Sequence, residues 1–326
     1  MSDQKRFISL MAVFVVILSV AVVYGQVADV GFRFINVQQI KFHQEMLDGV
    51  AGNPWQYRIL FDLLFVPFRS IVWHLGLSNP DAAAFIIFRF TQALLILACA
   101  GIYYKKLGIR SFLNFIGLSI LAWGMSNSLY DSELSFNIFF DIAFFIIAAI
   151  FILDQKFALI IPLTVLAALN RETSILIPIL FAASAIFGTK DAAHRKGSLV
   201  HAGIALLAFL IIFVALRLYY GEQPLITANG NYPGFDTLSY NLFRWVTWGQ
   251  IFLTLGIIPI LAVISYRYFP QNLKIFFWTI VPAWFVVHSL TAVLAETRIL
   301  LVPQALVFIP AVCLAAQRAL MFDSDK

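Results

Sequence analysis

Long apolar runs separated by short charged loops constrain this chain more than any other feature. The first run, FISLMAVFVVILSVAVVY at 7–24, contains no charged residue. A helix of about 20 apolar residues crosses the hydrocarbon core of a bilayer while pairing all of its backbone polar groups. Of the 326 residues, 61% are hydrophobic and only 12% are charged, which excludes an ordinary soluble domain. We therefore predict an all-α fold, a polytopic transmembrane helical bundle that lies in a lipid bilayer.

The predicted bundle contains about nine to eleven membrane helices, including a short broken hairpin at 157–188. Alternating ten-residue strands of the barrel type are absent from the sequence. With no soluble domain or internal repeat visible, we predict a single integral membrane domain over 1–326. The clearest spans lie at about 7–27, 82–104, 111–126, 136–153, 198–220, 249–268, 274–295 and 299–319.

Basic residues cluster in loops on one side of the predicted membrane. Lys5 and Arg6, KKLGIR at 105–110 and the loop 189–198 belong to this group. Cytoplasmic loops are enriched in Lys and Arg, so these loops are expected inside. The net charge of +5 is spread over such loops, which favours membrane orientation over nucleic-acid binding. We expect a protein of the bacterial inner membrane with an outward-facing active site, in which the run at 7–24 is a retained helix.

Two long loops are expected at the outer face, 28–57 and 221–248. The first contains NVQQIKFHQEML at 36–47, which predicts an amphipathic helix lying on the membrane surface. Its predicted apolar face consists of Val37, Ile40 and Leu47.

The path of 57–83 stays open at this stage. A full crossing would place KKLGIR outside, against the charge rule, whereas a partial crossing would keep it inside.

The stretch ALNRETS at 168–174 interrupts an apolar segment. Both ends of that segment adjoin loops expected in the cytoplasm, so the chain should enter the membrane and return as two short helices, 157–169 and 174–188. Asn170 or Thr173 is expected to cap the second helix. The charges then lie at a helix break, where irregular backbone needs protein or water around it.

Three arginines are expected at the outer face, each near an acid. Arg58 lies in QYRIL, Arg171 precedes Glu172 in NRET, and Arg298 follows Glu296 in AETR. Arginine stays charged and donates parallel hydrogen bonds, so these residues are candidates to bind a phosphate or pyrophosphate group. The alternative is mutual pairing, for example Arg171 with Glu296 and Arg298 with Glu172. Both interpretations hold if an arginine in an ion pair keeps some of its N–H donors free for a phosphate.

Three other carboxylates are candidates for chemistry. Asp29 closes the first span and could act as a general base or hold a metal; the alternative is a solvated residue at a helix end. Asp131 and Glu133 in NSLYDSELSF suit a divalent cation or sugar hydroxyls, against the alternative of a wet, capped turn. A divalent cation is the one cofactor these residues suggest.

Two further polar residues, His43 and Asp141, call for an interpretation. His43 could bind a metal or shuttle a proton, although a lone histidine more often packs at an interface. Asp141, inside a span, is expected to pair with a neighbouring helix.

Several of these motifs together resemble the GT-C class of membrane glycosyltransferases, such as protein O-mannosyltransferases and lipid A aminoarabinose transferases. Asp29 occupies the place of the acidic residue that follows the first span in that class. The motifs NVQQIKFHQEML, WQYRIL, LYDSELSF with Asp131, and LAALNRETSILIP with Arg171 in place of the usual lysine are similar to later motifs of the class. The resemblance covers roughly 1–190.

The resemblance implies a GT-C-like fold and transfer of a sugar from a polyprenyl-phosphate carrier to an acceptor on the extracytoplasmic side. Asp29 would be the catalytic base, and Arg58, Arg171 and Arg298 would hold the carrier phosphate. Two alternatives stand beside it: a transporter or flippase for a lipid-linked or anionic substrate, and a noncatalytic assembly protein whose ion pairs fix helix packing. The sequence does not name the acceptor.

Overall fold

The computed structural model describes residues 3–129, 133–188, 192–227 and 230–324, and every extended regular element in these ranges is helical. The predicted all-α fold is confirmed for this part of the chain. Its principal helices are α1 (Asp3–Val30), α2 (Ile40–Leu47), α3 (Leu60–Trp73), α4 (Pro80–Lys106), α5 (Ser111–Ser126), α6 (Phe136–Leu153), α7 (Ile160–Ala168), α8 (Leu176–Gly188), α9 (Ala192–Tyr220), α10 (Phe235–Phe243), α11 (Trp245–Leu255), α12 (Ile258–Ile264), α13 (Gln271–Thr291) and α14 (Ile309–Ser324).

Six helical stretches in the described residues are long and apolar enough to cross a membrane. They comprise most of α1 and α9, all of α4, α6 and α13, and the stretch Thr297–Met321 that leads into α14. The length and composition of these helices therefore support the prediction of an integral membrane protein. The other apolar segments are one bent pair and three helices of 10–17 residues. The full number of nine to eleven membrane helices stays a prediction.

Helix α6 forms the centre of the bundle. About 78% of its apolar window is buried, against 17% for α9. The apolar parts of both helices have similar hydropathy, so position in the bundle rather than composition separates them. Helix α9 exposes Leu207, Ile211 and Leu218 at its surface, a distribution suited to contact with lipid.

The helices define two ends of the bundle. Lys106 at the end of α4 pairs with Asp154 just after α6, so both C-termini lie at what we call the lower end. The start of α6 marks the upper end, where the Gln92 side chain donates to the carbonyl of Phe136 over 2.8 Å. Gln92 lies midway along α4, so the first half of α4 extends beyond the start of α6.

Helix α3 turns back at the upper end. Its first residue, Leu60, donates its backbone N–H to the carbonyl of Leu169 over 3.0 Å. Its last residue, Trp73, donates its indole N–H to Asp81 over 2.9 Å, in the first turn of α4. Both ends of α3 thus lie toward the upper end, which favours a partial crossing over a full one. This path leaves the KKLGIR segment at the lower end, as the charge rule requires.

The predicted span 249–268 is not one straight helix. Helices α11 and α12 are bent by 72° relative to each other. Gly256 between them has a φ of 57°, a backbone conformation that side chains with a Cβ rarely adopt. Glycine at this position therefore allows the sharp break.

The predicted surface helix is present, but its buried face is not the predicted one. A π-helical turn, Ile35–Gln39, continues directly into α2. Its buried residues are Ile35, Gln39, His43 and Met46. Of the predicted apolar face, Ile40 packs partly against the core, whereas Val37 and Leu47 are exposed. Gln39 and His43 have partners inside the protein, which fix this orientation.

Candidate functional site

The segment 133–137 at the start of α6 joins three parts of the chain at the upper end. The side chain of Gln39, from the surface helix, accepts a hydrogen bond of 2.9 Å from the Leu134 backbone. The side chain of Asn170 donates to the carbonyl of Asn137 over 2.8 Å. Most of the charged residues singled out in the sequence lie around this segment.

Asp141 is the partner of Arg171. The two side chains are 3.0 Å apart, and Asp141 also accepts hydrogen bonds from Asn170 at 2.7 Å and from Thr173 at 3.1 Å. Asp141 thus has the expected partner outside its own helix, but that partner lies in the turn between α7 and α8 and not in a neighbouring helix. The suggested pair of Arg171 with Glu296 is wrong. Asn170 and Thr173 do not cap the second helix: Asn170 Oδ1, the oxygen that would accept from the helix N–H groups, has no partner in the described structure, and the Thr173 hydroxyl donates to Asp141.

Glu172 lies between two arginines. Arg58 donates to it over 3.0 Å and 3.3 Å, and Arg217 of α9 lies 3.6 Å away. The suggested pair of Arg298 with Glu172 is therefore wrong. Arg217 was missed in the sequence, although a basic residue in the last turn of an apolar helix was a visible signal.

Arg298 is held by two acids from different segments. It donates to Glu296 over 2.8 Å, to the Glu133 carboxylate over 3.4 Å and to the Glu133 carbonyl over 3.1 Å. Burial raises the pKa of the Glu296 carboxyl, Glu133 adds to the rise, and Arg298 opposes it. Glu133, a candidate to bind a cation or a sugar, therefore forms an ion pair with Arg298.

The suggested cation site lacks a ligand set in the described part of the chain. No group of three or more His, Cys, Asp or Glu side chains there is arranged to hold a metal ion. Asp131, the other candidate ligand, lies outside the described residues.

Arg89 is a fully buried arginine that the sequence reading missed. Its guanidinium lies over the rings of Phe136 and Phe139, at 4.6 Å and 4.0 Å from their centroids. One nitrogen donates to Gln92 over 2.8 Å, while Nε and Nη2 have no hydrogen-bond partner among the described residues. A charge inside the predicted span 82–104 was the available signal.

A narrow cavity lies between the surface helix and the start of α6. Three buried polar atoms on its lining residues have no hydrogen-bond partner in the described structure: His43 Nε2, Ser135 Oγ and Asn137 Oδ1. About 20 Å³ of it is open to a water-sized group. We call it the aromatic cavity, because its other lining residues include Phe42, Trp55, Phe61 and Phe136.

An open hollow adjoins the aromatic cavity. Phe42 and Glu133 line both spaces, and the hollow has about 230 Å³ open to a water-sized group. Lys41 and Glu45 line its outer part. A ligand in the hollow would therefore lie beside the aromatic cavity.

His43 and Asp62 form a buried pair beside this cavity. Nδ1 of His43 lies 2.8 Å from Oδ1 of Asp62, and the ring makes edge contacts with Phe61, Phe65 and Phe85. Asp62 was missed in the sequence, although an acid within the apolar stretch ILFDLLF was a visible signal.

Asp29 does not join these groups. It is exposed in the last turn of α1, at the upper end, because the side chain of Gln26 one turn earlier donates to the carbonyl of Met125. It lines neither the aromatic cavity nor the hollow, and no described residue forms an ion pair with it. The structure thus separates Asp29 from the arginines.

The chain matches no model of a protein family, no curated protein and no solved structure. The chemistry of the site therefore carries the functional argument. Buried arginine donors suit a phosphate, and the aromatic cavity suits a small polar group.

Proposed function

We propose that this protein is a membrane glycosyltransferase that moves a sugar from a polyprenyl-phosphate carrier to an acceptor at the outer membrane surface. One observation carries the proposal. Three buried arginines at the upper end, Arg89, Arg171 and Arg298, keep four N–H donor positions without a partner in the described structure. Such donors are costly to bury unless a ligand uses them.

The number of charges also favours an anionic ligand. Five arginines of this region, Arg58, Arg89, Arg171, Arg217 and Arg298, lie near four carboxylates, and the ion pairs leave Arg89 without an acid within 4.0 Å. The four carboxylates are Glu133, Asp141, Glu172 and Glu296. A phosphate would complete the balance and accept the free donors, because arginine binds phosphate oxygens with parallel hydrogen bonds.

The surroundings of the site suit a lipid carrier. The surface helix exposes Val37 and Leu47, and Phe32 and Phe34 just before it are exposed as well. Apolar residues on a helix at the end of a membrane bundle are typical of a helix seated among lipids. A polyprenyl chain could then lie along the bundle while its phosphate reaches the arginines.

Electrostatic stabilisation would be the main catalytic effect. The acceptor oxygen would attack the anomeric carbon, and the bond from that carbon to the phosphate oxygen would break. The negative charge that develops on the leaving phosphate would lie among fixed arginine donors. Asp29 is the base that the resemblance implies, and its exposed position makes it open to an acceptor.

Binding of the carrier tests this proposal. Purified protein in nanodiscs should bind radiolabelled polyprenyl monophosphate. R89K should weaken binding by at least about tenfold, because Arg89 keeps both Nε and Nη2 without a partner in the described structure and lysine cannot reproduce two parallel hydrogen bonds. R110Q changes an exposed arginine in the KKLGIR segment and serves as the control. The protein should also release polyprenyl monophosphate from polyprenyl-phosphate hexoses or pentoses. If the protein shows neither binding nor release, the proposal is contradicted.

A transporter is the second candidate, and the bent pair of α11 and α12 favours it. Broken helices with polar groups at their ends are common in transporters, where they line the substrate path. Proteoliposome assays separate the two functions. Movement of the intact lipid-linked sugar across the bilayer without release of monophosphate would support the transporter.

A further inference from the structure

We propose that His43 and Asp62 form a base dyad that takes the proton from an acceptor hydroxyl bound in the aromatic cavity. This inference rests on the proposed glycosyl transfer and assigns to His43 the role that the resemblance implies for Asp29. Three features carry it: the hydrogen bond between the two side chains, the unpartnered Nε2, and two other unpartnered polar atoms in the same cavity.

The hydrogen bond fixes which ring nitrogen can act as a base. An ionised carboxylate only accepts hydrogen bonds, so Nδ1 of His43 carries the proton that is shared with Asp62. Nε2 of the neutral ring then keeps its lone pair. This nitrogen is buried and has no partner in the described structure, although His43 lines the aromatic cavity. A hydroxyl bound against this nitrogen would donate its hydrogen bond to that lone pair.

The cavity has further groups that would orient such a hydroxyl. Ser135 Oγ can donate or accept a hydrogen bond, and Asn137 Oδ1 can accept one. Both are unpartnered on residues that are at least nine-tenths buried. Convergent polar atoms between apolar walls are the usual composition of a small-molecule site. The small free volume admits one hydroxyl-sized group, so the rest of the acceptor would lie in the adjoining hollow.

The cavity and the arginines are linked by shared residues. Glu133 lines the cavity and also contacts Arg298. Asn137 lines the cavity, and its carbonyl accepts from Asn170, the residue before Arg171. A hydroxyl at His43 and a phosphate at the arginines would therefore lie on neighbouring sides of the segment 133–137.

The reaction balances without a further reagent. The hydroxyl proton moves to Nε2 of His43 as the acceptor oxygen forms its bond to the anomeric carbon. The bond from that carbon to the phosphate oxygen breaks, and its electron pair leaves with the polyprenyl monophosphate. Asp62 stabilises the transient imidazolium, which then loses its proton to water.

A structural role for the same pair predicts different behaviour. The bond between His43 and Asp62 also fastens the surface helix to α3, so removal of either side chain could simply loosen that contact. H43N separates the two roles, because the asparagine amide can donate to Asp62 from the Nδ1 position but offers no base at Nε2. H288N is the matched control, since His288 is equally buried and also has an unpartnered Nε2.

The experiment compares these variants of the full chain in nanodiscs. Two quantities are measured: release of polyprenyl monophosphate from polyprenyl-phosphate hexose and pentose probes, and the Kd for polyprenyl monophosphate. H43N should lower release by at least about 100-fold and leave the Kd within about threefold of wild type. H288N should leave both within about threefold. D29N is measured in the same two assays, because the resemblance implies Asp29 as the base.

The outcomes separate the two proposals. Release by H43N within about threefold of wild type, or a loss confined to D29N, overturns the dyad and leaves glycosyl transfer standing. No release and no monophosphate binding by wild type contradicts glycosyl transfer itself. Nitrogen-15 NMR of histidine-labelled protein gives a check that needs no substrate: a neutral His43 ring protonated at Nε2 overturns the dyad, and one protonated at Nδ1 supports it.

Discussion

Asp141 shows how single residues make a charged site possible inside an apolar bundle. It lies in a helix with no other charge, and its carboxylate accepts from Arg171, Asn170 and Thr173. A carboxylate buried without such partners would cost several kcal/mol. The three donors come from the turn between α7 and α8, which explains why polar residues interrupt that hairpin.

The Asp141 pair gives a stability prediction. D141A should lower the free energy of unfolding by about 3–5 kcal/mol, because it leaves Arg171 buried without its acid. D154A is the matched control, since Asp154 pairs with Lys106 where both side chains are partly exposed, and should cost about 1 kcal/mol or less. Unfolding in mixed micelles measures both. Equal losses in the free energy of unfolding would contradict this prediction, because they would mean that D141A does not leave Arg171 buried without a partner.

A second residue-scale prediction concerns pH. The raised pKa of Glu296 means that this carboxyl neutralises at a higher pH than an ordinary glutamate. Arg298 then loses one of its two acids, while Glu133 remains. The affinity of wild type for polyprenyl monophosphate, relative to that of E296Q at the same pH, should therefore rise as the pH falls. Comparison at each pH removes the titration of the phosphate itself, because both proteins bind the same ligand. E222Q, which changes an exposed acid that lines neither space, should keep the pH dependence of wild type.

At the scale of elements, breaks in the helices place the polar groups. The hairpin of α7 and α8 breaks at Asn170 and Arg171. Ser135, with a φ of 42°, directly precedes α6, and Gly256 directly follows α11. Each break exposes backbone that needs partners, and the first two lie beside the proposed site.

Gly256 provides an element-scale prediction. An added Cβ would meet no atom within 4 Å, yet the φ of 57° disfavours any side chain. G256A should therefore destabilise the protein by about 1–3 kcal/mol through backbone strain alone. G249A, in the interior of α11 and also with no atom within 4 Å of the added Cβ, should be neutral or stabilising by up to about 1 kcal/mol. Equal effects on thermal unfolding would contradict the strain.

The sequence predicted elements better than partners. Apolar length located most helices, and the polar turn in ALNRETS located the broken hairpin. Pairing depends on which helices become neighbours, so the suggested partners of Arg171 and Arg298 were wrong. The inward face of the surface helix was also missed, because burial of Gln39 and His43 requires partners from distant segments. Arg89 and Asp62 were detectable as charges in apolar stretches.

At the scale of the whole molecule, the charged groups of the proposed site concentrate at the upper end of the bundle. The arginine groups and the aromatic cavity lie at the upper end, whereas KKLGIR lies at the lower end. Under the charge rule the lower end faces the cytoplasm. The upper end would then meet substrates outside the cell membrane.

Cysteine labelling tests this orientation and the path of α3. In a protein with Cys99 and Cys313 replaced by serine, E45C and L75C should react with an impermeant maleimide on intact cells. Leu75 is 62% exposed and follows α3. K105C should react only after the membrane is permeabilised. Labelling of L75C from the side opposite to E45C, with K105C labelled from the same side as E45C, would mean that α3 crosses the membrane.

The most direct test of the central claim is a structure of the full chain in nanodiscs with polyprenyl monophosphate. The account predicts that the phosphate lies at the upper end, with oxygens within about 3.2 Å of the free donors on Arg89 or Arg298. A phosphate bound at the lower end, or an upper end that stays empty at saturating monophosphate, would contradict it.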